Sequence, residues 1–218
     1  MKVFHPEKLD HFKNIKAILF DWDGVFHSGH KNHLGESTFS EADSMGLNLI
    51  RLGFFLQNGE IPYTAIITGE QNPTAHYLAD REHLHGLYYK VKDKKIILDH
   101  LLDNYAISPS EILFVFDDVL DLSLAKEVGI RFMVKRDSSR ILLEHAKHMG
   151  MIDFSTTQNG GDHAVREIVE FLLDNMGIFK QTIDCRINFG EDYQIYWSHR
   201  QSISTQKMTV SDFQLVSE

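Results

Sequence analysis

The chain has 218 residues, 43% of them hydrophobic, with 31 acidic against 22 basic side chains and a formal net charge of -9. That length suits one α/β domain with a full core, and the acidic balance argues against nucleic acid or an anionic membrane surface as partner. The single Cys185 excludes a disulfide framework and a cysteine-rich zinc site; the start, Met1 to Phe12, lacks a signal-type apolar core and no run reaches membrane length, so the expected location is the cytoplasm.

The first informative element is the apolar run Ala17-Ile18-Leu19-Phe20, read as a buried strand that ends in Asp21-Trp22-Asp23-Gly24. In an extended segment residues i and i+2 project to the same side, so both carboxylates face one spot beyond the sheet edge while Trp22 packs the other way. Two like charges leaving water need a cation, and hard oxygen ligands of this kind suit Mg²⁺. A calcium loop does not fit, because its fifth and sixth positions are Val25 and Phe26 here. A plain turn with solvated aspartates stays open on these residues alone. Residues 25–40 are polar and glycine-punctuated and read as a β-hairpin flap. His27, His30 and His33 lie in it without clear metal-ligand geometry and read as a polar loop lining, at most, a substrate pocket. Asp43 is expected to cap a helix through Asn58, with Leu47, Ile50, Leu52, Phe54 and Phe55 as core.

A second strand, Tyr63 to Ile67, leads to Thr68-Gly69, a hydroxyl followed by a glycine that lets the backbone approach a ligand. The alternative reading makes Thr68 a cap for the helix expected over Pro73 to His83. A strand at Leu87 to Tyr89 precedes Lys90, Lys92, Lys94 and Lys95, ahead of the helical pattern Ile97, Leu98, Leu101, Leu102. Lysines in a first helical turn oppose the macrodipole. Lys94, three and four residues before Ile97 and Leu98, falls on the inward stripe, where it reads as a fixed positive charge; the other three read as solvated. The strand Ile112 to Phe116 runs into Asp117-Asp118-Val119-Leu120-Asp121. Three acids within five residues exceed what capping a helix at Leu122 to Val128 needs, and they complete a site for a hard divalent cation. A strand at Arg131 to Val134 and helices at Ser139 to Met149 and Asp162 to Met176 follow. The tail from Ile178 mixes Phe189, Tyr193, Tyr196 and Trp197 with polar residues and is expected to contact a neighbouring subunit.

In this order and spacing the motifs resemble the four motifs of the haloacid dehalogenase-like (HAD-like) phosphatases. The closer similarity is to the capless branch of 3-deoxy-octulosonate 8-phosphate phosphatases and the phosphatase modules of sialic-acid and related nonulosonate pathways. Phe39-Ser40-Glu41-Ala42-Asp43-Ser44-Met45-Gly46 is similar to that branch's Phe-x-x-x-Asp-Gly-x-Gly, and Gly160-Gly161-Asp162-His163-Ala164-Val165-Arg166-Glu167 to its Gly-Gly-x-Gly-Ala-x-Arg-Glu. The resemblance spans about residues 14 to 177. It implies a Rossmann-like, doubly wound parallel sheet with a flap and no large cap domain over residues 1–180. Residues 181–218 would be an extension contacting an oligomer, with a tetramer favoured.

By the same resemblance Asp21 would be the nucleophile that forms an aspartyl-phosphate, Asp23 the acid and base, Thr68 a phosphoryl hydrogen-bond donor, and Lys94 the charge that offsets the phosphoryl group. Mg²⁺ would sit between Asp21, the backbone carbonyl of Asp23 and Asp117, with Asp118 and Asp121 orienting it or supplying water-mediated contacts. The implied substrate is a small sugar phosphate of octulosonate or nonulosonate type, with Gly69, Glu70, His27 and Arg166 as candidate contacts. Departures from the branch are Glu70 for an arginine and Ser44, Phe116 and His163 for glycines. An acid at 70 repels an anionic sugar acid. Glu70, Phe116 and His163 also keep open a scaffold or regulatory subunit that has lost turnover. A phospho-receiver module has the wrong motif order, since its adjacent acid pair comes first and its lysine last.

Overall fold

Three apolar runs, Ala17–Asp21, Tyr63–Ile67 and Ile112–Phe116, are buried at every position, as the strands of a parallel sheet covered on both faces must be. The computed structural model describes residues 1–218. Its strands are β1 (Lys2–Val3), β2 (Ala17–Asp21), β3 (Tyr63–Ile67), β4 (Gly86–Tyr88), β5 (Ile112–Phe116), β6 (Ile130–Lys135), β7 (Phe154–Asn159), β8 (Gln206–Ser211) and β9 (Gln214–Ser217). Its α-helices are α1 (Glu41–Asn58), α2 (Pro73–Arg81), α3 (Ile96–Tyr105), α4 (Leu122–Ala125), α5 (Arg140–His148), α6 (Ala164–Asn175), α7 (Phe179–Asn188) and α8 (Glu191–Ser202). No helix is long and apolar enough to cross a membrane.

The strands form one sheet in the order β1-β7-β6-β5-β2-β3-β4-β8-β9, parallel except for the antiparallel pair at each edge. Successive side chains of β2 alternate between two cores. Ile18 and Phe20 meet the layer of α1, α2 and α6, whereas Ala17 and Leu19 meet that of α3, α4 and α5. From β2 the chain winds outward through β3 and β4 on one side and through β5, β6 and β7 on the other. The reversal between β2 and β5 opens a crevice at their carboxyl ends, the position where open α/β sheets bind ligands.

Several local expectations are corrected. Residues 25–40 hold no β-hairpin: the chain turns after Asp23, bridges back from Asp23 to His27, and runs on without strands to Ser40. Trp22 gives the reason. Fully buried, it stacks on Phe26 at 5.0 Å and donates from Nε1 to Ser37 Oγ at 3.0 Å, so both ends of the excursion are tied to one indole and not to each other. Ser40, not Asp43, caps α1, its Oγ accepting from the Ala42 N–H at 3.0 Å. Asp43 instead reaches across to α6, where Oδ1 accepts from the Arg166 N–H at 2.9 Å.

The three departures from glycine are absorbed without filling the crevice. Ser44 is buried and donates to Glu82 at 2.9 Å, Phe116 stacks on Phe114 at 5.3 Å on the α3 face, and His163 opens α6 with its Nδ1 2.8 Å from Ser40 Oγ. His163 has φ 69, in the left-handed region that favours glycine.

Residues 181–218, expected as an extension contacting an oligomer, pack against the chain's own sheet and helices. Tyr193 and Tyr196 of α8 pack on Leu52 of α1, and β8 pairs in parallel with β4, Gly86 opposite Gln206 and Tyr88 opposite Met208. The strands that escaped the apolar pattern of the central part of the chain are β7, with its polar Ser-Thr-Thr-Gln-Asn run, the mostly polar β8, and the short edge strands β1 and β9.

Burial raises Asp43 to about 6, despite its bond from the Arg166 N–H. Unfolded aspartate titrates near ~3.9, so between about pH 4 and 6 the folded chain holds a proton that the unfolded chain has lost, and stability falls as pH rises. Asp43→Asn, which keeps the acceptor, should flatten the urea-unfolding profile over that window and add about 1–3 kcal/mol at neutral pH. An unchanged slope would contradict a buried, proton-binding Asp43.

Candidate active site

Asp21 ends β2, Thr68 follows β3, Asp117 follows β5, and Lys94 lies two residues before α3. The fold brings these positions together at the carboxyl edge of the sheet. The Lys94 ammonium sits 2.6 Å from Asp21 Oδ1 and 2.5 Å from Asp121 Oδ1, with all three side chains buried. Carboxylate oxygens of Asp21, Asp117 and Asp121 all lie within 4.8 Å of one another.

The electrostatics follow from that crowding. Burial first, then repulsion from Asp121, pushes Asp21 above the usual carboxylate range in spite of Lys94. Burial and the nearby Asp21 push Asp117 the same way, against the pull of Arg136. Burial works against the charged form of Lys94, but Asp21 and Asp121 outweigh it and hold the ammonium protonated.

Asp23 has a different environment. Its Oδ2 accepts from Asn72 Nδ2 at 3.2 Å and from Thr68 Oγ1 at 3.5 Å, while Lys31 Nζ and His27 Nε2 approach Oδ1 at 2.8 and 3.0 Å. Partial burial raises it, yet His27 and Lys31 together win and lower it to about 2. Asn72 also donates to Thr68 Oγ1 at 2.7 Å. Thr68 is therefore a member of the site and no cap, since the residue before α2 is Asn72.

Gly24 lets the two acidic loops meet. Its φ is +80, and a side chain there would collide with the Asp117 carboxylate and the Arg136 guanidinium.

The candidate residues sort as follows. Asp21, Asp23, Lys94, Asp117, Gly69 and Glu70 line a cavity of about 610 Å³ at this edge. Asp118 is no member of the acidic triplet: its carboxylate caps the following turn by accepting from the Val119 N–H at 2.7 Å and is turned to Arg136 and solvent. One turn on, Asp121 comes back under it and takes that place. His27 lies buried beneath Asp23 and does not line the cavity. Arg166 is on α6, bonded to Glu170 at 2.6 Å, and is not in the cavity wall either. Sequence reasoning missed Lys31, Asn72, Lys92 and Arg136. Arg136 is the first residue beyond β6, at the same edge as the motifs, which is the signal that could have found it. A second cavity of like volume at the opposite edge, by Lys13, Tyr63 and His85, holds none of this chemistry.

The donor set fits a hard divalent cation. Six carboxylates and four basic side chains line the cavity, so a doubly charged ion offsets the excess. The buried Oδ2 of Asp117 accepts no hydrogen bond, and only the guanidinium of Arg136 lies against it.

No family model matches the chain. Over 175 residues, 77% of this chain and 84% of the relative, it is 30% identical to KdsC, the 3-deoxy-D-manno-octulosonate 8-phosphate phosphatase of Salmonella typhimurium. Two solved structures are similar. One is a Legionella pneumophila protein assigned to HAD superfamily subfamily III A hydrolases, with TM-score 0.69 and 26% identity over 84% of this chain and 94% of that one. The other is the 3-deoxy-D-manno-octulosonate 8-phosphate phosphatase of Moraxella catarrhalis, crystallised with magnesium, phosphate and KDO, with TM-score 0.66 and 27% identity over 82% of this chain and 97% of that one. A parallel α/β sheet with this lysine-bridged acidic edge defines a HAD-like phosphatase. The chain belongs to the KdsC family of these enzymes.

Mg²⁺ at about 100 times its dissociation constant should stabilise the fold by about 2.7 kcal/mol, read as a raised melting temperature. Asp117→Asn should lose most of that shift and Asp118→Asn should keep it. A melting temperature indifferent to Mg²⁺ would remove the metal site.

Proposed function

We propose that the chain is a Mg²⁺-dependent phosphomonoester hydrolase acting on a small sugar phosphate of octulosonate or nonulosonate type through an aspartyl-phosphate. The carrying observation is the buried contact of Lys94 with Asp21, beside Asp117 and Asp121, on a cavity that Asp23 also lines. Membership of the KdsC family supports the reaction class, and the Moraxella catarrhalis complex supports the ion and the kind of substrate.

In this reading the Asp21 carboxylate attacks phosphorus, which splits one difficult hydrolysis into two displacements. Lys94 orients that carboxylate and offsets charge on the phosphoryl oxygens, and Thr68 donates to one of them. Mg²⁺, held by Asp21, Asp117 and the carbonyl of Asp23, would supply charge neutralisation at the same oxygens. Asp23 stands ready as the base toward water. It becomes the acid for the leaving oxygen once a substrate anion draws Lys31 away, because Lys31 is one of the two contacts that keep it ionised.

Glu70 lies in the cavity wall with Lys31 and Lys92, so selection of the leaving group falls to a mixed-charge rim. The working unit is a cytoplasmic homo-oligomer, a tetramer as the capless branch implies. Exposed Ile187 on α7, Phe189 just after it, and Ile195 and Trp197 on α8 support such an interface. Light scattering at micromolar concentration should give a tetramer, and a monomer would overturn this.

Hydrolysis of p-nitrophenyl phosphate should require Mg²⁺ and fall by at least about 10³-fold in Asp21→Asn with the melting curve retained. Equal rates in variant and parent would reject the nucleophile, and a parent inert with Mg²⁺ would leave the scaffold reading. Glu70→Arg should raise kcat/KM about tenfold or more for sugar phosphates that carry a carboxylate, relative to neutral ones. A panel of both kinds, showing no such change, would take Glu70 out of substrate selection.

A further inference from the structure

Asp23 has to present one oxygen to a leaving group, and the structure holds the other from beneath. After Asp23 the chain turns, with the Phe26 N–H donating to the Trp22 carbonyl at 3.1 Å, and returns His27 under the carboxylate. The imidazole is buried, 5.7 Å from the Trp22 ring. Its Nδ1 accepts the Gly29 N–H at 3.1 Å. A ring nitrogen that accepts carries no proton, which leaves Nε2 as the donor of the ring. That Nε2 lies 3.0 Å from Asp23 Oδ1 and has no other partner, its N–H turned off the line to the oxygen. Contacts of this kind in enzymes without substrate are often poorly aligned and tighten in the substrate complex.

The backbone at His27 is also clamped from the far side. Gly160 and Gly161 pack so closely on the turn that a side chain at Gly160 would come within 2.9 Å of the His27 carbonyl, and one at Gly161 within 3.2 Å of its Cα. Lys31 reaches the same Oδ1 from a partly exposed, flexible stem and can leave. His27 cannot. Oδ1 is buried while the Asp23 side chain is 30% exposed, so Oδ2, which accepts only the longer bonds from Asn72 at 3.2 Å and Thr68 at 3.5 Å, is the oxygen left for a ligand.

We infer that His27 is a positioning residue for Asp23, its Nε2–H bonding Oδ1 so that Oδ2 alone meets the leaving-group oxygen. The inference rests on the phosphatase reading above. Once Lys31 is drawn to the substrate, Asp23 takes a proton from solvent on Oδ2; as Asp21 bonds to phosphorus and the phosphorus–oxygen bond of the substrate breaks, that proton passes to the departing oxygen. Asp23 is left as a carboxylate, and His27 keeps its proton throughout. The Gly160-Gly161 pair thereby acquires a role in catalysis at one remove, by fixing the residue that fixes the acid.

The test is kcat/KM of the full chain with Mg²⁺ on two substrates of one shape, p-nitrophenyl phosphate, whose leaving group departs without a proton, and phenyl phosphate, whose leaving group is helped by one. His27→Phe keeps the ring and removes the donor; His27→Gln restores an N–H. His27→Phe should lower the phenyl phosphate value about 10- to 100-fold and the p-nitrophenyl phosphate value by less than about threefold, with His27→Gln recovering most of the loss. Equal losses on both substrates, or none on either, would overturn the inference. Should His27→Phe fail to fold, His27→Asn, whose shorter amide stops short of Oδ1, gives the same ratio. A parent inactive on both substrates would overturn the phosphatase reading itself, and this inference with it.

Discussion

The ammonium of Lys94 lies between Asp21 and Asp121, with Asp117 beside them and all four buried at the floor of the cavity. Buried carboxylates this close repel one another, and removing the partner of a buried charge typically destabilises by about 3–5 kcal/mol. The site therefore exists only because the loop after β4 delivers a cation from the α3 side to the point where β2 and β5 diverge. A lysine ahead of a helix is unfavourable locally. It is tolerated here because the charge it meets in space outweighs the helix end it opposes in sequence.

A second constraint is the closeness of three backbone segments around Asp23. The loop of residues 22–29 passes between Asp117 on one side and Gly160-Gly161 on the other, and at Gly24, Gly160 and Gly161 a Cβ would collide. Trp22, on the opposite side of the chain from Asp21 and Asp23, anchors the loop in the core and reaches Ser37. The result is a loop with one face packed and one face reactive. Rigidity of this kind suits a capless enzyme, in which no domain closes to position the acid.

The carboxyl-terminal residues extend that scaffold. With β8 against β4, the parallel part of the sheet runs one strand further than the motif-bearing strands require, and α8 covers the Leu52 side of α1. Aromatic residues in a polar tail are equally suited to a neighbour's surface or to the chain's own. Tyr193 and Tyr196 went inward, whereas Phe189 and Trp197 stayed exposed.

Local pattern was enough for the central strands and the helices with apolar stripes, because each depends on period and neighbours along the chain; Asp21, Thr68, Lys94 and Asp117 stood out only through the order and spacing they share with a known family, since Thr68 alone reads equally as a helix cap. Which acid of 117, 118 and 121 joins the cluster was not legible. Capping by Asp118 and the return of Asp121 depend on a turn that only the packed strand end defines. The same holds for Asn72, Lys31 and Arg136, each ordinary in its own segment and brought to the site only by the fold. His27 reads as loop polarity until the turn at Gly24 places it under Asp23. The amino-acid order by itself thus determined the class of chemistry, since that lies in residue types at strand exits; the fold alone decided which side chains share the site, since distance across a sheet is set by topology and not by separation along the chain.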